Sequence, residues 1–388
     1  MQEARKILVV FPHNFFELKS GVHKRFYEFV SCLKALGFEI DLLGLRHFES
    51  NWNNFKTEND RHLVNRLFLY DFRTGYHWRL VMNFFSKMFP FSKTKVSGID
   101  SPLPDYAFPG MQSLLAKITG TSRYDYIVIG YVYWANLLQT NLPQGITRVL
   151  TMEDFISLKV HEANPGNVNL DAAIAEEIKR VNLFDRVICL SDEELRFFSA
   201  NAPHPGYDYV PVFMEKPARL ACDKVYDILF IGFDNPENIE GLKWFFQQVR
   251  PHLKDDLKIL VVGKVSLFVA DMAGVTKTEY APRLDEAYGK CRITINPLQS
   301  GTGMKVKVVE SLAYGIPMVN TPKGLCGMPP ELLKEFLVAG DPQLFAAEIR
   351  HLLTDPEFYS FHCLAAEKIF SDHFEAGIMR KKLEAIFK

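Results

Sequence analysis

The chain has almost no net charge, with 45 lysines and arginines against 46 acidic residues and a formal charge of −1. That balance excludes a generally basic nucleic-acid binder and leaves room only for local basic patches. Paired cysteines are missing too. The six cysteines, at 32, 189, 222, 291, 326 and 363, are scattered, with no Cys-x-x-Cys pair and no zinc spacing. They read as free thiols, mostly buried, in a reducing cytoplasm. No apolar run approaches membrane-spanning length, and Met1–Val10 is a charged lead-in to a strand without a hydrophobic signal region. The expected location is cytoplasmic, with peripheral attachment at the inner membrane surface as the variant. No Gly-x-Gly-x-x-Gly follows the first apolar run, where the loop offers only Gly21, and this disfavours a dinucleotide-dependent oxidoreductase. No Asp-x-Asp cluster stands in a suitable loop, so no metal site is expected.

What is present is a soluble composition, 48% hydrophobic and 23% charged, over 388 residues, which suits two domains of ordinary size. Lys6–Phe11 reads as a buried parallel strand, and the loop 12–20 leads through Gly21 to an amphipathic helix of about 22–36. That helix stops at Gly37, and Glu39–Leu43 returns as a second strand, completing a β-α-β unit. Residues 46–118 fit the alternation poorly and read as an irregular helical and loop insertion. Their stretch 61–91 is basic and aromatic, with Arg61, Arg66, Arg73, Arg79, Lys87 and Phe84–Phe91. The favoured reading is helices packed on the domain edge with solvated cations. Contact with a membrane surface is the alternative. Strands are expected at Tyr126–Gly130, Thr147–Met152, Phe184–Ser191 and Tyr209–Phe213, with helices at Ala172–Asn182 and, capped by Ser191, at Asp192–Ala200. A linker over 215–223 precedes a second α/β domain. Its strands are Tyr226–Gly232, Lys258–Gly263 and Val275–Tyr280, and its helices Asn235–Phe246 and Arg283–Lys290; the tail from Pro342 is helical.

The most informative segment is 297–321, Pro-Leu-Gln-Ser-Gly-Thr-Gly-Met-Lys-Val-Lys-Val-Val-Glu-Ser-Leu-Ala-Tyr-Gly-Ile-Pro-Met-Val-Asn-Thr. A strand at Ile293–Asn296 feeds a loop with Gly301 and Gly303, then a helix from about Met304, then a strand at Ile316–Asn320. A glycine-bearing loop at a helix N-terminus builds an anion site, because free N–H groups and the helix dipole favour a phosphate. Lys305 and Lys307 add positive charge, and the carboxylate of Glu310, one turn on, suits the two hydroxyls of a ribose. The plainer reading makes Lys307 and Glu310 an i,i+3 surface ion pair and Gly315-Ile-Pro an ordinary helix stop. The ordered combination favours the nucleotide site.

The string Gly-x-Gly, two lysines, Glu310 and Gly315-x-Pro-x-Val resembles the donor-site signature of the glycosyltransferase group 1 family (family 4 and its relatives). The resemblance extends to Phe230–Gly232, to Leu284-x-x-Ala-Tyr288, and to the Phe184-Asp-Arg-Val-Ile-Cys-Leu-Ser191 strand with its Glu194. It implies a GT-B fold, with two Rossmann-like doubly wound α/β domains facing across a cleft. The acceptor-side domain is then 1–214, the linker 215–223 and the nucleotide-sugar domain 224–368, while 369–388 forms a C-terminal helix crossing back to the first domain. It implies a UDP- or GDP-sugar donor as substrate, no separate cofactor, and a glycan or lipid-linked acceptor. The function expected is a metal-independent sugar transfer in surface polysaccharide or glycoconjugate synthesis. The alternative is a catalytically weak GT-B protein that binds nucleotide-sugar or glycan as a scaffold.

The candidate donor-binding residues are Gly21, Gly232, Gly263, Tyr280, Gly301, Thr302, Gly303, Lys305, Lys307 and Glu310. Backbone N–H groups and the two lysines would stabilise the leaving diphosphate. Tyr280 is either a stacking partner for the base or a plain surface aromatic. The family's retaining members carry Glu-x7-Glu, and here the first glutamate falls on Thr302. Its mid-domain histidine is absent as well, with Glu153-Asp154 in that place. Asp154 is therefore a candidate general base, or else a cap for the following turn. His23, with His13 on the other side of Gly21, is a second candidate to approach the acceptor.

Overall fold

The computed structural model describes residues 5–18, 20–46, 52, 55, 62–71, 101–164, 166–218, 222–281 and 283–388. The chain divides into two compact units. The first comprises Met1–Glu17 and Phe29–Val210, the second Leu18–Glu28 and Pro211–Lys388. Leu18–Glu28, expected in the first domain, thus groups with the second.

The first unit is built on a seven-stranded parallel sheet. Its strands are β1 (Lys6–Val10), β2 (Glu39–Arg46), β3 (Arg66–Asp71), β4 (Tyr126–Gly130), β5 (Thr147–Thr151), β6 (Arg186–Cys189) and β7 (Gly206–Tyr209). They lie in the order β3-β2-β1-β4-β5-β6-β7. Apolar side chains on both faces of β1 and β4 are fully buried, as a parallel sheet covered on both sides requires. Helix α1 (Gly21–Ala35) joins β1 to β2, and α2 (Pro109–Thr121) precedes β4. Helices α3 (Ile156–Ala163), α4 (Leu170–Val181) and α5 (Asp192–Asn201) complete this part. The expected cap of α5 is present as a full capping box, Ser191 and Glu194 exchanging side-chain bonds with each other's backbone.

Two expectations are corrected here. Segment 46–118 is not irregular throughout: Arg66–Asp71 is the edge strand β3 and Pro109–Thr121 is a helix. Arg66, counted among the cations of 61–91, donates to Asp41 Oδ2 from Nε at 3.0 Å and from Nη2 at 2.7 Å. Burial opposes ionisation of Asp41, but the bonds from Arg66 and Tyr124 hold its carboxyl below the usual range. Arg61, Trp78 and the Phe84–Phe91 stretch lie outside the described residues. The strand expected at Tyr209–Phe213 instead ends at Tyr209. Val210 still donates to Cys189, but Pro211 has no N–H to carry the ladder on.

The second unit has a six-stranded parallel sheet in the order β10-β9-β8-β11-β12-β13. The strands are β8 (Tyr226–Ile231), β9 (Ile259–Val262), β10 (Val275–Thr278), β11 (Cys291–Asn296), β12 (Met318–Asn320) and β13 (Leu337–Val338). Its helices are α6 (Pro236–Trp244), α7 (Leu284–Gly289), α8 (Val306–Ala313), α9 (Pro342–Thr354), α10 (Pro356–His373) and α11 (Ala376–Ile386). Asn235, Asp341 and Asp355 cap α6, α9 and α10 through their side chains, each with proline as the first helical residue. α11 is tied to the segment after β7, since Met214 donates to Phe374 and accepts from Ala376. Arg380 donates to Glu215 at 2.8 Å.

In each sheet the strand order reverses once, between β1 and β4 and between β8 and β11. The carboxyl edge at such a reversal is where open α/β sheets bind ligands.

Candidate donor site

The loop after β11 occupies the reversal point of the second sheet. Gly301 and Gly303 have φ of +99° and +72°, conformations that side chains other than glycine rarely adopt. Lys305 is still extended at φ −92°, ψ 116°, so α8 begins at Val306 rather than at Met304. The Lys305 ammonium turns back onto the loop, donating to the carbonyls of Thr302 at 2.6 Å and Gly303 at 2.7 Å. Thr302 stands where the first family glutamate was expected, and its hydroxyl is buried without a hydrogen-bond partner. An unsatisfied hydroxyl between two left-handed glycines, at the N-terminal end of α8, is a donor left for a ligand.

Lys307 lies in the first turn of α8, donating to Asn238 Oδ1 at 2.7 Å with its ammonium 4.0 Å from the Phe230 ring centroid. Burial, reinforced by Lys305, lowers its pKa to about 7. Lys307 and Glu310 therefore do not form the i,i+3 surface pair. Glu310 is 3% exposed, and its two oxygens accept from Lys24 Nζ at 2.5 Å and from Tyr288 Oη at 2.9 Å. A carboxylate offers about four acceptor positions, so two bonds leave capacity for hydroxyls. Tyr288 stacks on Tyr314 at 4.4 Å and 11°. Burial first, and then the neighbouring Glu310, keep its phenol protonated.

The remaining candidates divide by position. A Cβ on Gly21 would come within 2.9 Å of Val306, so Gly21 lets the first turn of α1 lie against the first turn of α8. His23 follows it, its N–H bonded to Ser20 Oγ at 3.3 Å. Gly263 has φ +103°, and a Cβ there would sit 2.1 Å from the Gly232 carbonyl. Both glycines hold the carboxyl ends of β8 and β9 close together. Tyr280, just beyond β10, is 71% exposed. The second unit thus gathers Gly21, His23, Gly232, Gly263, Tyr280, Gly301–Gly303, Lys305, Lys307 and Glu310.

Asp154 belongs to the first unit, beyond β5, and pairs with Lys159 Nζ at 2.6 Å. It is not the cap of α3. Glu177 does that work, accepting from Ile156 and Ser157 N–H at 3.0 and 2.8 Å, and burial raises its pKa to about 7. Among the described residues no three His, Cys, Asp or Glu side chains are grouped as for a metal ion, and no helix is long and apolar enough to cross a membrane.

Lys24, Asn238, Tyr288 and Glu177 were missed as members of these groups. Tyr288 and Asn238 lie inside segments that resemble the family, but no local pattern marks Lys24, whose partner is 286 residues away.

Comparison with known proteins agrees with this geometry. Residues 225–355 match the family model described as Glycosyl transferases group 1. An "Uncharacterized 44.6 kDa protein in cps region" from Klebsiella pneumoniae is 26% identical over 306 residues, 71% of this chain and 77% of that protein. Sucrose-phosphate synthase from Thermosynechococcus elongatus superposes with a TM-score of 0.72 at 13% identity, covering 99% of this chain and 98% of its own. TarM of S. aureus, in complex with fondaparinux, alpha-GlcNAc-glycerol and UDP, superposes at 0.67 and 11% identity, covering 99% and 100%. The superpositions establish the architecture, and the matched domain contains the loop, both lysines and Glu310. By that domain and that architecture the chain belongs to the group 1 glycosyltransferases, with the GT-B fold.

Proposed function

We propose that the chain transfers a sugar from a UDP- or GDP-sugar to a glycan or lipid-linked acceptor in polysaccharide or glycoconjugate synthesis. The observation that carries this reading is the Gly301-Thr302-Gly303 loop. Its two glycines are left-handed and its Thr302 hydroxyl is unsatisfied, ahead of α8 and beside Lys305 and Lys307. Backbone N–H groups, the helix terminus and the lysines are suited to the charge that develops on a departing diphosphate, and we infer that the reaction needs no metal for this step. Glu310 is assigned to the ribose, with Lys24 and Tyr288 fixing its carboxylate. Tyr280, exposed at the same sheet edge, is assigned to the base. Gly21, Gly232 and Gly263 act by allowing close backbone approach. Asp154 is assigned as the base for the acceptor hydroxyl, with His23 as an acceptor-side hydrogen-bonding group.

Neighbours of this fold were solved with UDP and with sugars, among them HepE of Anabaena with UDP and glucose. The relative from a cps region supports polysaccharide synthesis as the setting. The six cysteines are unpaired, which fits the reducing cytoplasm where we place the reaction, with 61–91 as a peripheral contact with the inner membrane. A panel of UDP-, GDP-, dTDP- and CMP-sugars with mixed glycan acceptors, with and without EDTA, tests the proposal by release of free nucleotide. Turnover with a UDP- or GDP-sugar that survives EDTA is expected. Thermal stabilisation by NAD but by neither UDP nor GDP would overturn the reading.

A further inference from the structure

The first sheet has its own reversal point, and what stands there is of a different chemical kind. Phe11 and His13 leave the carboxyl end of β1, and Tyr131 leaves that of β4. Tyr131 has φ +71° and ψ 134°, a conformation costly for any residue with a side chain. Glycine would adopt it freely, and Gly130 stands immediately before it, so the ring at 131 is held in place against backbone strain. Its N–H donates to Thr151 at 3.2 Å, locking the turn to β5. The ring stacks on Phe11 at 5.9 Å and 23°, and lies 6.0 Å from Tyr133. Phe11 is fully buried, whereas Tyr131, Tyr133 and His13 are only half-buried.

The polar atoms of this group are uncharged. Burial pushes the His13 imidazole down to about 4. Burial also holds the Tyr133 phenol protonated, with Asp154 and Glu177 adding to the effect. The nearby ammonium of Lys159 is engaged by Asp154. Aromatic faces rimmed by neutral donors and acceptors fit a pyranose, whose C–H face lies flat on a ring and whose hydroxyls bond at the edge. A phosphate would need the cations or open helix terminus that the second unit supplies.

We propose that Phe11, His13, Tyr131 and Tyr133 form a platform for an uncharged sugar ring of the acceptor, a proposal that rests on the transferase function above. Tyr131 is the specificity-determining residue of the platform, and its strain is retained because the ring contacts the ligand.

The test uses the full chain as wild type, Tyr131→Ala and Tyr131→Gly. Saturation-transfer NMR against a panel of neutral methyl glycosides reads sugar binding, and thermal melts with UDP and GDP read the donor site. At least one glycoside should bind the wild type and bind both variants tenfold or more weakly, while the nucleotide-induced melting shift persists. Both variants lose the ring but only glycine relieves the backbone, so Tyr131→Gly should melt above Tyr131→Ala. The proposal fails if Tyr131→Ala keeps wild-type glycoside affinity, if the alanine variant melts higher, or if the wild type binds nucleotide but no glycoside. Absence of any UDP or GDP shift in the wild type would instead sink the donor reading, and a glycoside signal lost in Tyr131→Ala would still locate the sugar platform.

Discussion

In the second unit the chain leaves the reversal point of its sheet through two left-handed glycines and two lysines. In the first it leaves the corresponding point through Phe11, His13 and a strained tyrosine. The sheets share a plan, with three strands on one side of the reversal in each. The strand order therefore sets where a ligand binds, and the residues just past the strand ends set which kind. Glycine lets backbone N–H groups reach an anion, whereas bulky aromatic residues fill that space and offer faces and hydroxyls. The division assigned above follows: nucleotide on the second unit, neutral sugar and its base on the first.

The sharpest way to break this division is Asp154→Asn. If Asp154 takes the acceptor proton, kcat should fall by about 10²–10⁴, the range for losing a positioned general base. The Kd for UDP or GDP should not move, because Asp154 lies in the other unit. Unchanged turnover would leave Asp154 as the ion-pair partner of Lys159. A changed nucleotide affinity would break the separation of roles.

Glu310→Ala probes the second unit from its centre and should have a smaller effect. Removing the carboxylate takes an acceptor from both Lys24 and Tyr288, and two stranded donors cost about 1–3 kcal/mol each in a buried site. Nucleotide affinity should fall by about 10- to 100-fold, one or two charge-assisted hydrogen bonds. Glu310→Gln keeps an acceptor for Tyr288 while removing the charge opposite Lys24, and should recover stability but not affinity. Isothermal titration with UDP and GDP, beside thermal melts, separates the two effects. Wild-type affinity in Glu310→Ala would make Glu310 a purely structural partner of Lys24.

Much of this was legible in the sequence, and the exceptions share a cause. Strands such as Ile259–Val262 and the loop at 301–303 are written locally, in apolar runs and in glycine. So was the cap at Ser191, whose partner Glu194 is three residues on. The edge strand Arg66–Asp71 was not legible, because its side chains are half-buried and it lacks the continuous apolar run of a central strand. Lys24 and Glu177 were hidden for another reason. Each acts on a group distant in sequence, and nothing near a lysine or glutamate marks it as buried rather than solvated. The Tyr131 strain has no local sign either, since the tyrosine follows a strand ending as any aromatic would.

The smallest expected effect is also the one that ties the donor loop to its chemistry. Lys307 in the folded protein has its pKa lowered to about 7 by burial, so in the unliganded site it is partly neutral at neutral pH. A diphosphate beside it favours the ammonium form and must raise that value. Below pH 7 the charge is already present and affinity should be flat. Above pH 7 binding must take up a proton, so affinity should fall as pH rises, with a limiting slope of about tenfold per pH unit. Folding stability runs the other way: the unfolded lysine holds its proton up to its ordinary pKa, so this group's contribution is lost as pH falls toward 7. Titration of UDP and GDP at pH 8 in buffers of different ionisation enthalpy should show uptake approaching one proton in wild type and none from this site in Lys307→Met. The aromatic group of the first unit carries no comparable lysine, so glycoside binding there should not depend on Lys307. Equal proton uptake in wild type and Lys307→Met would remove Lys307 from the phosphate site and leave Lys305, Lys24 and the loop N–H groups to hold the anion.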